Sequence, residues 1–330
     1  MHTGRVGFPT EFLNKERSDV NLLAINSAKG TYEIRRFSDL VSLLGPDYVL
    51  VFNNSLTVRS GFTGYSEEMK AFLHFNMGYS RSGMIVEMRD EAKKLRAGSR
   101  LKLLDGSWIE LTDRRKDFPR FWEISTSENF DIEFIRRSAD YITYAHMPVK
   151  FGDEIYAGPY TRIPGSVEYP SASRPFTKEL ISILEKKGTG IETVTLHCNL
   201  SSLDASEFSD SNLLLEEYFE VKEDVAQSLN SAIAKGKKII AVGTTVVRAL
   251  ESAWGKNGFM ESAGFTNLFI RPDRKLHLDG VITGMHDPTT SHLLMLGTFT
   301  DFSIIRSAYQ TAYEYDFKWH EFGDSCIIFS

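Results

Sequence analysis

Ile239-Ile240-Ala241-Val242 is an apolar run, followed by Gly243-Thr244-Thr245 and a stretch from Val246 with helical spacing. A strand, a tight turn and a helix in that order leave free amides at the helix N-terminus, which suit a carboxylate or a phosphate. Arg248, one turn into the helix, adds a bidentate charge contact to such a group. In the competing reading the threonines cap the helix and Arg248 pairs with a carboxylate such as Glu251. His197 ends a predicted strand, where α/β folds place ligand sites, although a strand-end histidine is more often structural. His286 sits in the polar turn Thr283-Gly284-Met285-His286-Asp287-Pro288, and a neighbouring acid tunes an imidazole for proton transfer. The plain alternative is a surface turn histidine. Glu217 and Asp324 are further candidate bases, set against the commoner case of a solvated carboxylate.

Other chemistries lack their residues. The eight histidines and two cysteines show no ligand spacing, so no metal is expected. No Walker loop and no Gly-x-Gly-x-x-Gly follows a strand, which disfavours ordinary NTPases, Rossmann dehydrogenases and Rossmann methyltransferases. The stretch Arg81–Arg120 holds eleven Lys/Arg against seven Asp/Glu. That is either a local nucleic-acid surface or a solvated charged face. A net charge of −6 supplies no global attraction for nucleic acid.

These residues need elements to position them. Asn21–Ile25 and Tyr48–Phe52 read as strands, the second fully buried. Between Gly64 and Pro148, short apolar stretches (Gly83–Met88, Leu101–Leu104, Trp108–Leu111) alternate with turns, and Asp105-Gly106 signals a hairpin. After Pro148 helices and strands alternate. Thr177 caps a helix that Gly188 ends, Thr193–His197 is a strand, and Glu223–Lys235 is a helix stopped by Gly236. Lys238–Val242 is the next strand, followed by helices Val246–Trp254 and Ile304–Tyr315. Strands alternating with helices predict a sheet with helices packed on it. The β-rich stretch therefore reads as an insert in an α/β domain. At 330 residues and 42% hydrophobic content, the chain can bury a large core. No signal pattern and no apolar run near the ~20 residues of a bilayer span occurs, so a soluble, cytoplasmic protein without a membrane partner is expected.

With these residues assembled, the chain resembles the S-adenosylmethionine:tRNA ribosyltransferase-isomerase family of queuosine biosynthesis. Ala241-Val242-Gly243-Thr244-Thr245 with Val247-Arg248 and Leu250-Glu251-Ser252 is nearly the family's signature. Val194-Thr195-Leu196-His197, Glu217-Tyr218-Phe219-Glu220-Val221, Gly165-Ser166-Val167 and Phe322-Gly323-Asp324 match in order. Ala92-Lys93-Lys94-Leu95-Arg96-Ala97-Gly98 looks like the Lys-Lys-Leu-x-x-Gly of the family's β domain. The resemblance implies a larger α/β domain, residues 1–62 and 150–330, carrying a smaller β-barrel-like insert at 63–149. It also implies the reaction. The ribosyl part of S-adenosylmethionine passes to a 7-aminomethyl-7-deazaguanine base in tRNA and rearranges to epoxyqueuosine, with adenine and methionine released and no metal. His197, His286, Glu217 and Asp324 are then the candidate catalytic residues. Gly243, Thr244, Thr245, Arg248, Ser166, Pro170, Ser171, Phe176 and Asn53 are the candidate S-adenosylmethionine contacts. The basic stretch Arg81–Arg120 would take tRNA, with Lys93, Lys94 and Arg96 on its phosphates.

The chain departs from the family pattern in several loops. Glu168-Tyr169-Pro170-Ser171-Ala172-Ser173-Arg174-Pro175-Phe176-Thr177 lacks a family histidine, and Gly284-Met285-His286-Asp287-Pro288-Thr289-Thr290-Ser291 lacks a lysine. Asn53-Asn54-Ser55-Leu56 lacks an acid and an arginine, and Cys198-Asn199-Leu200-Ser201-Ser202-Leu203 replaces a glycine-rich stretch. Two other readings therefore stand beside the tRNA enzyme. One is a divergent paralogue that uses S-adenosylmethionine on a small molecule or cleaves it. The other is a non-catalytic binding protein of the same fold.

Overall fold

The computed structural model describes residues 3–88, 94–127, 130, 132–144, 146–200, 213–288 and 290–330. Its body is a nine-stranded sheet, and a closed six-stranded antiparallel barrel accompanies it. Across the sheet the strands run Ser262–Leu268, Leu213–Val221, Gly190–Leu196, Tyr48–Asn53, Lys238–Val242, Gly280–Gly284, Ser325–Phe329, Asn21–Asn26 and Thr31–Arg36. The four strands from Gly190–Leu196 to Gly280–Gly284 are mutually parallel. The mixed α/β class and the barrel expected from the sequence are what the chain forms.

Period-two alternation explains why the sheet is covered on both faces. Val49, Val51, Ile239, Ala241, Val281 and Ile328 point into one core, where the helices Glu223–Ala234, Thr244–Ser252 and Phe302–Glu314 pack. Leu50, Phe52, Ile240, Val242, Ile282 and Ile327 point into the other, against the helix Lys178–Lys186 and Phe37. Both faces being buried, these strands read as continuous apolar runs. The Thr177 side chain accepts from Leu180 N at 3.2 Å, and Gly188 follows the helix with φ +91°.

The barrel strands run Trp108–Arg114, Phe121–Thr126, Gly83–Glu87, Ala71–Ser80, Gly61–Ser66 and Arg100–Leu103, closing on the first. Asp105-Gly106 turns the hairpin as expected: Gly106 takes φ +93°, and Trp108 faces Lys102 across it. Alternate barrel residues such as Phe62, Leu73, Phe75, Leu101 and Ile109 fill the interior.

The helix expected over Val246–Trp254 begins two residues earlier and spans Thr244–Ser252. Gly243 is therefore its N-cap, with φ +107°, and neither threonine caps it. A left-handed cap conformation is what glycine alone adopts without strain. The threonine side chains are thereby left out of helix capping.

Candidate active site

Parallel strands carry their carboxyl ends to one edge, where α/β sheets bind ligands. Here that edge holds Asn53, the Gly243-Thr244-Thr245 turn and Thr283-Gly284-Met285, which line a cavity of about 810 Å³. Barrel residues Glu87, Met88, Arg114, Arg120 and Trp122 form its opposite wall. Asn53 stitches the edge together. Its amide donates to Leu196 O at 2.8 Å and Thr245 Oγ1 at 3.3 Å, and its oxygen accepts from Leu196 N at 3.1 Å.

Arg248 and Glu217 meet in the cavity wall, 4% and 1% exposed. Nη1 of Arg248 donates to Glu217, Nε donates to Leu268 O at 3.0 Å, and Nη2 is shut off from solvent with no partner. Glu217 also accepts from Asn199 N at 2.9 Å. Glu217 is thus no solvated carboxylate, and Arg248 does not pair with Glu251. That acid instead takes His277 at 3.2 Å and Arg274 at 3.7 Å. Barrel residue Arg120 faces Glu87 at 3.3 Å, and Asn76 donates to Glu87 at 3.0 Å.

Of the residues singled out by sequence, Asn53, Pro170, Ser171, Glu217, Gly243, Thr244, Thr245, Arg248 and His286 line the cavity. His197, Ser166, Phe176 and Asp324 do not. His197 Nδ1 lies 2.7 Å from Ser55 Oγ, which lies 2.6 Å from Ser166 Oγ, and burial holds the imidazole pKa below its usual range. Gly165 makes room for that ring, since a Cβ there would stand 2.6 Å from its carbons. Phe176 packs in the core, 4.9 Å from both Phe37 and Phe52. Asp324 is a buried clamp: it accepts from Asn21 N at 2.5 Å and Lys318 N at 2.7 Å, while burial raises its pKa.

His286 places Nε2 2.6 Å from Thr283 Oγ1 and stacks on His292 at 4.6 Å. Burial, then the neighbouring His292 and His320, push the His286 pKa well down; burial, then Arg248, bring His292 to about 4. Both imidazoles are uncharged at neutral pH. The lining also includes Tyr144, His146, His320 and Glu321, for which the sequence carries no local signal. Nε2 of His146 lies 3.0 Å from Glu321 Oε2, and the His146 ring stacks on His320 at 4.0 Å and 17°. The donor atoms of His146, His320 and Glu321 lie within 4.8 Å of one another, the spacing of a metal group. Nearly parallel rings, however, cannot both hold one ion in their planes unless one rotates.

Residues 9–328 match the family model described as queuosine biosynthesis protein. The chain belongs to that family. A queuosine-family relative from Halothermothrix orenii, named S-adenosylmethionine:tRNA ribosyltransferase-isomerase, is 28% identical over 94% of this chain and 93% of its own. The protein of that name from Treponema denticola is 30% identical over 96% and 94%. The crystal structure of S-adenosylmethionine tRNA ribosyltransferase from Thermotoga maritima covers 94% of this chain and 93% of its own, with a TM-score of 0.52 at 22% identity. At that identity the likeness establishes a shared fold.

The family motifs converge unevenly on the cavity: the Gly-Thr-Thr turn lines it, whereas His197 and Asp324 brace the walls behind it. The histidines at 146 and 320 lie far apart in the chain, so no local spacing announces them.

Proposed function

We propose that the protein transfers and isomerises the ribosyl moiety of S-adenosylmethionine onto a 7-aminomethyl-7-deazaguanine base in tRNA, giving epoxyqueuosine and releasing adenine and methionine. The names of the relatives support this reading, and one feature of the site carries it. The unpartnered Nη2 of buried Arg248 stands one turn inside a helix whose first amides, at Thr244 and Thr245, border the same cavity. Helix N-terminal amides and a guanidinium together take a carboxylate, here that of the methionyl part. Among the described lining residues, five carboxylates stand against three guanidiniums, and the histidines His286 and His292 are uncharged. Such a cavity favours a sulfonium cation.

The sulfonium acidifies the adjacent ribose carbon, and His286 is the group assigned to take that proton, because it lines the cavity and burial keeps its imidazole uncharged. Glu217 is committed to Arg248 and Asn199 and keeps the guanidinium in place. Residues 1–62 and 150–330 form the body that binds S-adenosylmethionine in this reading, and 63–149 an inserted unit that takes tRNA. Lys94 and Arg96 are exposed there; Lys93 lies outside the described residues. The reading needs no metal and goes with a cytoplasmic protein.

Incubation with S-adenosylmethionine, with and without tRNA carrying the aminomethyl base, is the test. Adenine and methionine should appear with that tRNA. Their appearance without any tRNA would assign the acceptor to a small molecule, and their absence in every arm would leave a binding protein.

A further inference from the structure

Asp287 stands three residues beyond the strand Gly280–Gly284 and lines the cavity. Its Oδ1 is closed to solvent and has no hydrogen-bond partner. Its Oδ2 lies 3.8 Å from Nε2 of His320, beyond hydrogen-bond range. A polar atom without a partner is rare and costly, and the side chain that carries it is 31% exposed on the cavity wall, where a donor from a ligand can reach the carboxylate. The surrounding groups do not neutralise it. His286 is kept uncharged by burial, and burial together with His146 holds the His320 pKa below its ordinary value. Glu321, on the same wall, adds a second carboxylate and already meets His146 at 3.0 Å. The Arg120 and Arg248 guanidiniums are engaged with Glu87 and Glu217. Asp287 and Glu321 make this part of the cavity wall acidic.

We propose that Asp287 is a specificity-determining residue that receives a primary ammonium group. An ammonium is a compact cation with three donors, and it satisfies a bare carboxylate oxygen with a charge-assisted bond. The inference rests on the function proposed above, in which two ligands bring such a group: the methionyl part of S-adenosylmethionine and the aminomethyl arm of the acceptor base.

Two matched pairs of probes separate these sources. Calorimetry would compare S-adenosylmethionine with its des-amino analogue, and free 7-aminomethyl-7-deazaguanine with the 7-methyl compound. Wild type should prefer the amine in one pair by about 10- to 100-fold, the range of a hydrogen bond to a charged group. In Asp287→Asn, checked for folding by its thermal transition, that preference should shrink to within about threefold. Asp287→Ser serves as a second variant with the same expected equalisation. The pair that loses its preference names the ligand. An undiminished preference in both pairs, or an equal loss for both members of a pair, overturns the inference while leaving the proposed function intact. Failure of wild type to bind either S-adenosylmethionine or the base overturns both, and it shows before any variant is made.

Discussion

Arg248 and Glu217 show how a single ion pair serves stability and recognition together. Both are buried, and breaking such a pair leaves one uncompensated charge in the wall. Arg248→Ala is expected to destabilise the protein by about 3–5 kcal/mol in urea unfolding, and the double replacement Arg248→Met with Glu217→Leu by less than the single change. In variants that stay folded, loss of the guanidinium should also weaken S-adenosylmethionine binding in calorimetry. His286→Gln should lower turnover by roughly 10²- to 10⁴-fold, the usual worth of a positioned base, with little change in S-adenosylmethionine affinity. The histidines also set a pH dependence. His292 titrates near 4 in the fold against 6.5 ordinarily, so the unfolded chain binds its proton first as pH falls. Its stabilisation is complete above about pH 6.5 and is lost as pH drops toward 4. Thermal midpoints measured from pH 7 down to 4.5 should fall, and His292→Gln should flatten that slope.

The strand–turn–helix at Lys238–Ser252 owes its geometry to one glycine. Gly243 adopts φ +107°, and a Cβ there would approach Ala172 to 3.3 Å. A side chain would shift the turn that carries Thr244 and Thr245 to the cavity. A second close approach sits behind the wall. Gly165→Ala would drive a methyl into the His197 ring, 2.6 Å away, and disturb the His197–Ser55–Ser166 chain that braces adjacent elements. Overpacking of that kind costs about 1–3 kcal/mol, which urea titration of Gly165→Ala would read.

The whole molecule sets a barrel against an α/β body, and both contribute walls to one cavity. The basic excess of Arg81–Arg120 is partly paired within the chain: Arg96 pairs with Glu68 at 3.6 Å, Arg100 with Glu110 at 2.6 Å, and Arg115 with Asp117 at 2.7 Å. A tRNA surface there therefore depends on fewer cations than the sequence count suggests. Replacing Lys93, Lys94 and Arg96 by alanine should weaken tRNA binding. The slope of its salt dependence should also fall by about 0.7–0.9 for each phosphate that is no longer neutralised. S-adenosylmethionine affinity should be unchanged. A titration of tRNA at two salt concentrations, with wild type and the triple variant, decides it.

Periodicity, Asp-Gly turns and glycine-ended strands act over a few residues, so the sheet, the barrel hairpin and the Gly-Thr-Thr turn could be read from the chain alone. The buried strands Tyr48–Asn53 and Lys238–Val242 and the Thr177 cap were legible for that reason. Which polar side chains share the cavity was a matter for the tertiary structure. His197 and Asp324 stand in family motifs, yet their partners are Ser55 and the Asn21 and Lys318 amides, supplied from distant segments. The partner of Arg248 was equally hidden: Glu251 is a helical neighbour, but Glu217 arrives on the strand Leu213–Val221. His146, His320 and Asp287 meet only after the segment following the barrel folds back beside the last strands. Local chemistry decides which elements form; burial and charge pairing across elements decide which residues are left to meet a ligand.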